Sequence, residues 1–123
     1  MRSLILMAIL SLGVALGSCT PMEPGVPVGP EEVKSELVGK VWRVKLPSGG
    51  DAVEHFRPDG KVEIRGGLND NGRWRLWDKG YCTSWARMRQ GAERCFTLDR
   101  TANGHYRVYK PDGEISMTII GFE

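Results

Sequence analysis

The sequence predicts an all-β domain: a small antiparallel meander of about eight strands forming a barrel or sandwich, with one short N-terminal helix. From Val41 onward, apolar and polar residues alternate with the period of two expected of a sheet with one buried face. Breaks rich in Gly, Pro, Asn and Asp separate the runs, and this turn chemistry at short spacing favours a meander. A chain of 123 residues supports one modest core, which excludes a two-domain enzyme.

The first 18 residues have the pattern of an export signal. Arg2 supplies a basic start, and the stretch from Leu4 to Leu16 is apolar except for Ser11 and Gly13. A stretch of 13 residues is too short to cross a bilayer, which needs about 20, and it lacks the polar face of a buried core helix. We therefore expect residues 1–18 to be a cleaved signal peptide.

The segment Leu16-Gly17-Ser18-Cys19 resembles the lipobox of bacterial lipoproteins, in which an aliphatic residue and two small ones precede a cysteine. The resemblance implies that Cys19 is acylated and becomes the first residue of the mature protein. Acyl chains, at about 0.8 kcal/mol per buried CH₂, would hold the protein in a lipid bilayer. Thr20 stands where that family usually has Asp in proteins kept at the inner membrane, which implies an outer-membrane location facing the periplasm. Ordinary cleavage that leaves an unmodified cysteine is the alternative.

Residues 19–30 are predicted to be a proline-rich tether. Prolines recur at every third position from Pro21 to Pro30, which is the period of a polyproline II helix. At about 3.1 Å per residue, an extended segment 21–30 would hold the domain roughly 30 Å from the lipid surface. A proline-rich recognition motif is the alternative.

The folded domain is predicted to span residues 31–123. Its helix begins at Pro30, has Glu31 and Glu32 in the first turn and ends at Gly39. The eight strands predicted after it are Val41–Leu46, Ala52–Phe56, Lys61–Arg65, Gly72–Trp77, Tyr81–Met88, Arg94–Arg100, His105–Tyr109 and Glu114–Ile120.

Two of the predicted turns share one pattern. Residues 56–62 and 109–115 both read aromatic, basic, Pro-Asp-Gly, charged, aliphatic. Proline sets φ for the first turn position, and glycine adopts the left-handed conformation that closes a bulged hairpin. We interpret the repeat as shared hairpin chemistry, with a duplicated half-domain or a paired binding loop as the alternative.

Cys82 and Cys95 are predicted to form a disulfide, because an exported chain is oxidised and Cys19 is consumed by lipid. If the two cysteines face each other, the hairpin is centred near residues 88–89 and both lie on the outer face. The inward side chains of this strand are then Tyr81, Thr83 and Trp85. A reactive or metal-binding cysteine pair is the alternative, which the lack of a Cys-x-x-Cys motif disfavours.

No catalytic residue, metal ligand or cofactor site is predicted, and we interpret the chain as a binding protein rather than an enzyme. His55 and His105, the only histidines, are 50 residues apart, and each is interpreted as an exposed strand residue. The sequence contains no helical His/Glu metal motif, nucleophile elbow or phosphate loop.

The middle hairpins carry an excess of positive charge. Residues 57–110 contain 12 basic and 6 acidic side chains. Arginine next to exposed aromatic rings can hold an anionic partner by forked hydrogen bonds or stacking. An anionic glycan, a lipid headgroup or an acidic protein is the expected partner, and nucleic acid is not expected outside the cytoplasm. Charges that only solubilise the outer face are the alternative. The candidate binding residues are Arg73, Arg75, Trp77, Arg87 and Arg89.

Leu37-Val38-Gly39-Lys40-Val41-Trp42, Gly72-Arg73-Trp74 and the cysteine pair together resemble small exported lipocalin-like domains over residues 37–121. The resemblance implies a β-barrel, and about eighteen inward side chains predict a core that fills it without a lumen. Two functions follow as hypotheses. One is a membrane-anchored binding domain, for example an inhibitor of a secreted hydrolase. The other is a lipocalin-like carrier of a small apolar ligand.

Overall fold

The computed structural model describes residues 22–123, which form a closed antiparallel barrel of eight strands with a short helix before it. The all-β prediction is confirmed. The predicted signal peptide, the lipobox and Cys19 lie outside the described residues. Within residues 22–123, no helix has the length and hydropathy that a membrane crossing requires.

The helix has two parts, α1 (Pro30–Glu32) and a π-helical turn (Val33–Leu37) that continues it. A 3₁₀ turn (Met88–Gly91) lies between the sixth and seventh strands. The strands of the described residues are β1 (Val26–Val28), β2 (Val41–Lys45), β3 (Asp51–Phe56), β4 (Lys61–Gly66), β5 (Asp70–Trp77), β6 (Gly80–Trp85), β7 (Arg94–Arg100), β8 (Tyr106–Tyr109) and β9 (Ile115–Phe122).

Strands β2 to β9 pair in chain order, and pairing of β9 with β2 closes the barrel. The predicted strands agree with the observed ones to within a few residues. The largest difference is the strand predicted as Tyr81–Met88, which ends at Trp85. After Trp85 the chain enters the connection that holds the 3₁₀ turn, in which Arg89 and Gln90 adopt left-handed φ angles of 54° and 53°, far from those of a β-strand.

Because neighbouring strands are antiparallel, the connections alternate between the two ends of the barrel. We call the end at which the helix enters β2 the helix end, and the other the loop end. The loop end carries the connections 46–50, 67–69, 86–93 and 110–114. Val33 and Leu37 are fully buried, and the Leu37 carbonyl accepts a 2.8 Å hydrogen bond from the Trp42 indole. The helix therefore closes its end of the barrel.

Aromatic rings fill the interior toward the helix end. Trp42 stacks on Phe56 with ring centroids 4.0 Å apart, and Tyr81 meets Phe56 edge-on at 5.0 Å. Phe96 lies 5.3 Å from Tyr81 on the other side. The predicted alternation with a period of two is confirmed along the barrel, since alternate residues of its strands are buried. They include Val44, Val62, Ile64, Leu98, Tyr106, Val108, Met117 and Ile119.

Cys82 and Cys95 form the predicted disulfide between directly opposed positions of β6 and β7. Tyr81, Thr83 and Trp85 are buried and line the barrel interior, as the predicted pairing requires. Cys82 is also fully buried. Because Tyr81 and Thr83 point inward, Cys82 between them points to the outer side of the sheet. The disulfide lies on that side and fixes the register of the hairpin that carries residues 86–93.

The two repeated turns have the same local structure. Gly60 and Gly113 have φ of 86° and 88°, and each Asp accepts a hydrogen bond from the amide two residues later. The turn after β3 lies at the helix end, whereas the turn after β8 lies at the loop end. Two short turns at opposite ends of the barrel cannot form one binding site. The shared sequence therefore reflects hairpin chemistry rather than a paired binding loop.

The extended spacer predicted over residues 21–30 is wrong for Val26–Val28, which pair with β7 as strand β1. Val28 is buried, and Gly25 packs so closely that a Cβ there would lie 2.4 Å from the Asp99 carboxylate. Strand hydrogen bonds and burial of Val28 stabilise this arrangement over a solvated polyproline helix, which has no internal hydrogen bonds. The folded unit therefore begins at Val26 or earlier.

Replacing both Cys82 and Cys95 by alanine should lower the free energy of unfolding by about 3 kcal/mol, because the disulfide closes a short loop and restricts the unfolded chain. Urea unfolding of the oxidised protein and of the double variant measures the difference. The native protein treated with reductant should match the variant. An unchanged unfolding midpoint would show that the bridge does not stabilise the hairpin.

Candidate functional site

A cavity of about 130 Å³ lies inside the barrel at the loop end. The prediction that side chains fill the barrel completely is therefore wrong at this end, although it holds around Trp42 and Phe56. The volume is close to that of an engineered apolar cavity of about 150 Å³ that holds one benzene molecule. The cavity is lined by Leu46, Glu54, Ile64, Leu68, Tyr81, Thr83, Trp85, Met88, Arg89, Phe96, Ser116 and Met117.

Glu54 is an inward carboxyl group on β3. Ala52, Glu54 and Phe56 occupy alternate positions of this strand, and all three are buried. Glu54 is 1% exposed, and its Oε2 has no hydrogen-bond partner among residues 22–123. Burial raises the pKa of Glu54 to about 8, although the charge of Arg89 acts in the opposite direction. At neutral pH the carboxyl group is therefore mostly protonated and uncharged.

Tyr81 presents a phenol to the same cavity. Its ring packs among Phe56 and Phe96, and its hydroxyl is buried without a hydrogen-bond partner in the described part of the chain. Burial raises the pKa of Tyr81 well above its ordinary value, and the neighbouring Glu54 raises it further. The hydroxyl therefore keeps its proton and can donate a hydrogen bond.

Arg89 reaches the interior from the connection between β6 and β7. Its Nη2 donates hydrogen bonds to the Thr83 hydroxyl (3.2 Å) and the Thr83 carbonyl (3.4 Å), and the guanidinium lies 5.8 Å from the Phe96 ring centroid. Its Nε is buried without a partner among the described residues. Burial lowers the pKa of Arg89 and repulsion from Arg94 lowers it further, but a guanidinium remains charged at physiological pH.

Asp70 fixes the connection that carries Arg89. Its buried carboxylate accepts hydrogen bonds from the backbone amides of Met88 (2.9 Å), Arg87 (3.1 Å) and Asn71 (2.8 Å). These bonds, above all the one from Met88, lower the pKa of Asp70 and keep it ionised. Arg89 adopts a left-handed backbone conformation, which costs about 1–2 kcal/mol for a residue with a side chain. The hydrogen bonds of Asp70 to the two preceding amides hold the connection in which Arg89 lies.

The three polar atoms without partners share one location. Among residues 22–123, the buried side-chain nitrogen and oxygen atoms that lack a hydrogen bond are Glu54 Oε2, Tyr81 Oη and Arg89 Nε. All three residues line the cavity. Leaving such a group unpaired costs about 1–3 kcal/mol, so native proteins pair nearly all of them. Because all three atoms belong to residues that line one cavity, this cavity is the candidate place for a polar guest.

Of the five residues predicted to form a binding face, Arg73, Arg75 and Trp77 occupy alternate positions of β5, whereas Arg87 and Arg89 lie in the connection 86–93. Arg73 and Arg87 are exposed on the outside. Arg75 is engaged by Glu93 through two short contacts of 3.0 and 2.6 Å. The Trp77 indole donates a 3.0 Å hydrogen bond to the Phe96 carbonyl, and Arg89 turns into the barrel.

A larger depression of about 420 Å³ lies on the outer face of β2 and β3, between Arg43, Lys45 and Arg65. None of the buried polar atoms that lack partners in residues 22–123 belongs to its lining. Arg65 donates hydrogen bonds to the Ile64 and Asp70 carbonyls, and Lys45 lies 4.0 Å from the Asp51 carboxylate. The smaller interior cavity is thus the better candidate site.

Sequence reasoning did not single out Glu54 or Tyr81 as site residues. The signal for Glu54 was present, since alternation places it inward between Ala52 and Phe56. Arg89 was predicted to bind on the outer face, and the sequence carries no sign of the positive φ that turns it inward.

No known protein family matches the chain, and neither a curated protein nor a solved structure matches it.

The buried Glu54 should make the fold less stable as pH rises. Its folded-state pKa of about 8 lies above the unfolded value of 4.5, so the folded state alone holds the proton between these values. The free energy of unfolding should fall by up to about 1.4 kcal/mol per pH unit across this window. Glu54→Gln should remove this contribution and be more stable than the native protein at pH 8.

Urea unfolding at pH 5, 6, 7 and 8 measures the effect, with the exposed helix residue Glu31 changed to Gln as the matched control. The control should keep the pH dependence of the native protein. A Glu54→Gln variant with that same slope would mean that Glu54 titrates like an exposed carboxyl group.

Proposed function

We propose that the protein is a lipid-anchored envelope protein whose barrel binds a small molecule in the cavity at its loop end. The observation that carries this proposal is that the three buried polar atoms without a partner among residues 22–123 belong to Glu54, Tyr81 and Arg89, which all line one cavity of about 130 Å³. Ligand sites commonly combine apolar walls with a few directed polar groups. A small β-barrel is compatible with a lipocalin-like binding domain of this kind.

The cavity supports binding better than catalysis. Neither Glu54 Oε2 nor the Tyr81 hydroxyl has a hydrogen-bond partner in the described chain, so no nucleophile is paired with a base there. The packed helix end and the fixed connection around Asp70 instead favour a preformed receptacle.

An acidic partner, such as a secreted hydrolase held by the outer basic residues, is a weaker proposal. Arg75 is already neutralised by Glu93, and Arg89 lies inside the barrel. Exposed Arg73 and Arg87 are what supports an anionic partner on the outside.

The lipid anchor is proposed from Leu16-Gly17-Ser18-Cys19. The described chain constrains where such an anchor would hold the barrel. Three peptide links join Cys19 to Met22, and at about 3.8 Å per link they span at most about 11 Å. Met22 contacts the Tyr109 hydroxyl through its sulfur at 3.6 Å. The β7–β8 side of the barrel would then lie close to the bilayer rather than roughly 30 Å away.

Replacing Cys19 by serine should move the protein from the membrane fraction to the soluble envelope fraction, because serine cannot be acylated. Cell fractionation followed by intact-mass measurement of the native protein tests this. The native mass should exceed that of the chain beginning at Cys19 by the mass of the acyl groups. An unacylated native protein would contradict the anchor and leave the cavity proposal intact.

Small one-ring organic molecules of neutral, acidic and basic type should include ligands for the cavity. Screening them against the purified, ¹⁵N-labelled protein should produce amide shifts at Tyr81, Trp85 and Arg89. Leu68→Trp should weaken binding at least tenfold, because Leu68 lines the cavity from a loop and the indole would occupy it.

The matched control is Arg73→Glu combined with Arg87→Glu, which reverses charge on the outer surface. It should bind the same molecules as the native protein. Shifts confined to outer residues, or binding lost only in the charge-reversed variant, would overturn the cavity as the ligand site.

A further inference from the structure

We infer that the cavity takes a small organic acid as its carboxylate anion, about one aromatic ring in size, with the carboxylate against Arg89, Tyr81 and Glu54. This inference rests on the proposed function, since it names the chemical class of the ligand for the same cavity. Hydrogen-bond donors, net charge and wall chemistry support it independently.

The unpartnered atoms present mainly donors. Arg89 offers an N–H at Nε, Tyr81 offers its phenolic O–H, and Glu54 in its neutral form offers a carboxyl O–H. A carboxylate accepts about four hydrogen bonds through its two oxygens, so it can satisfy all three groups. An ammonium group has only donors, so it could donate to the Tyr81 hydroxyl oxygen but would leave the Arg89 N–H unpaired and would meet a like charge there.

The charge of the cavity also selects an anion. Arg89 is its cation, and Arg94 stands close enough to lower the pKa of Arg89 by repulsion. The elements that pack against Glu54 from other sides contribute Leu46 of the β2–β3 connection, Ile64 of β4 and Ser116 of β9, none of which titrates. With Glu54 protonated, the site is positive, and a bound anion relieves the repulsion between the two arginines.

The remaining wall is apolar and sets the size of the ligand. Leu46, Ile64, Leu68, Met88 and Met117 surround the polar groups. A volume of about 130 Å³ suits one ring or a short alkyl chain, by comparison with the cavity of about 150 Å³ that holds benzene. A long-chain fatty acid would not fit within it.

Binding of such an anion should depend on pH through Glu54. As pH rises through about 8, Glu54 ionises, adds a negative charge and competes for Arg89. Tyr81 keeps its proton and the Arg89 guanidinium keeps its charge over this range, so Glu54 is the group lining the cavity whose charge changes. Affinity for a carboxylate should therefore fall about tenfold between pH 6 and pH 9.

Calorimetric titration of the purified full-length protein with benzoate, benzamide and benzylamine tests the inference, because these probes share a ring and differ in charge. At pH 6, benzoate should bind at least tenfold more tightly than either of the others. Its affinity should fall about tenfold at pH 9 in the native protein and stay constant in Glu54→Gln. Arg89→Met should weaken the affinity for benzoate at least tenfold and change the affinity for benzamide less than threefold.

Arg87→Met, in the same connection but exposed, is the matched control and should bind benzoate like the native protein. Tighter binding of benzamide or benzylamine than of benzoate would overturn the anionic ligand while leaving a small-molecule function in place. Failure of all three probes would overturn the inference, and the one-ring screen then separates the two proposals. Other molecules that bind in the cavity would preserve the proposed function, whereas none in the whole screen would overturn it too.

Discussion

Closure of the sheet by pairing of β9 with β2 is the constraint on which the rest of the structure depends. In a closed barrel every second residue of each strand points into the interior, where its side chain must pack against others or form hydrogen bonds. Ala52 and Phe56 meet this demand as ordinary core residues on β3, but Glu54 between them does not. The alternation that builds the core therefore also buries a carboxyl group whose Oε2 has no hydrogen-bond partner among residues 22–123.

The two ends of the barrel divide stability and function between them. At the helix end, Leu37, Trp42 and Phe56 pack without a cavity, and the Trp42 indole is hydrogen-bonded. At the loop end, three buried polar atoms have no partner in the described part of the chain, and Asp70 holds the connection in which Arg89 adopts a left-handed backbone conformation. Such costs are typical of functional sites, where strain and unsatisfied groups persist because the surrounding structure enforces them.

Most of the fold could be predicted from the sequence because strand alternation and turn chemistry are local signals. The strand Arg94–Arg100 and the Cys82–Cys95 pairing are observed as predicted. Strand β1 was not predicted because the proline period favoured a polyproline helix. The alternation of Val26 and Val28 forms a strand only because β7 pairs with it. The site was mostly missed because it depends on tertiary structure: the backbone at Arg89 is set by Asp70, 19 residues earlier in the chain.

The most direct test of this account is the pKa of Glu54 itself, read from the side-chain carboxyl carbon by NMR titration of the ¹³C-labelled protein. We expect a midpoint near 8 in the ligand-free protein, because the carboxyl group is buried and its Oε2 has no partner among residues 22–123. A carboxyl signal that titrates near 4.5 would place Glu54 in contact with water or with a cation. Glu54 would then be ionised at neutral pH, and this result would contradict the anion site proposed in the cavity.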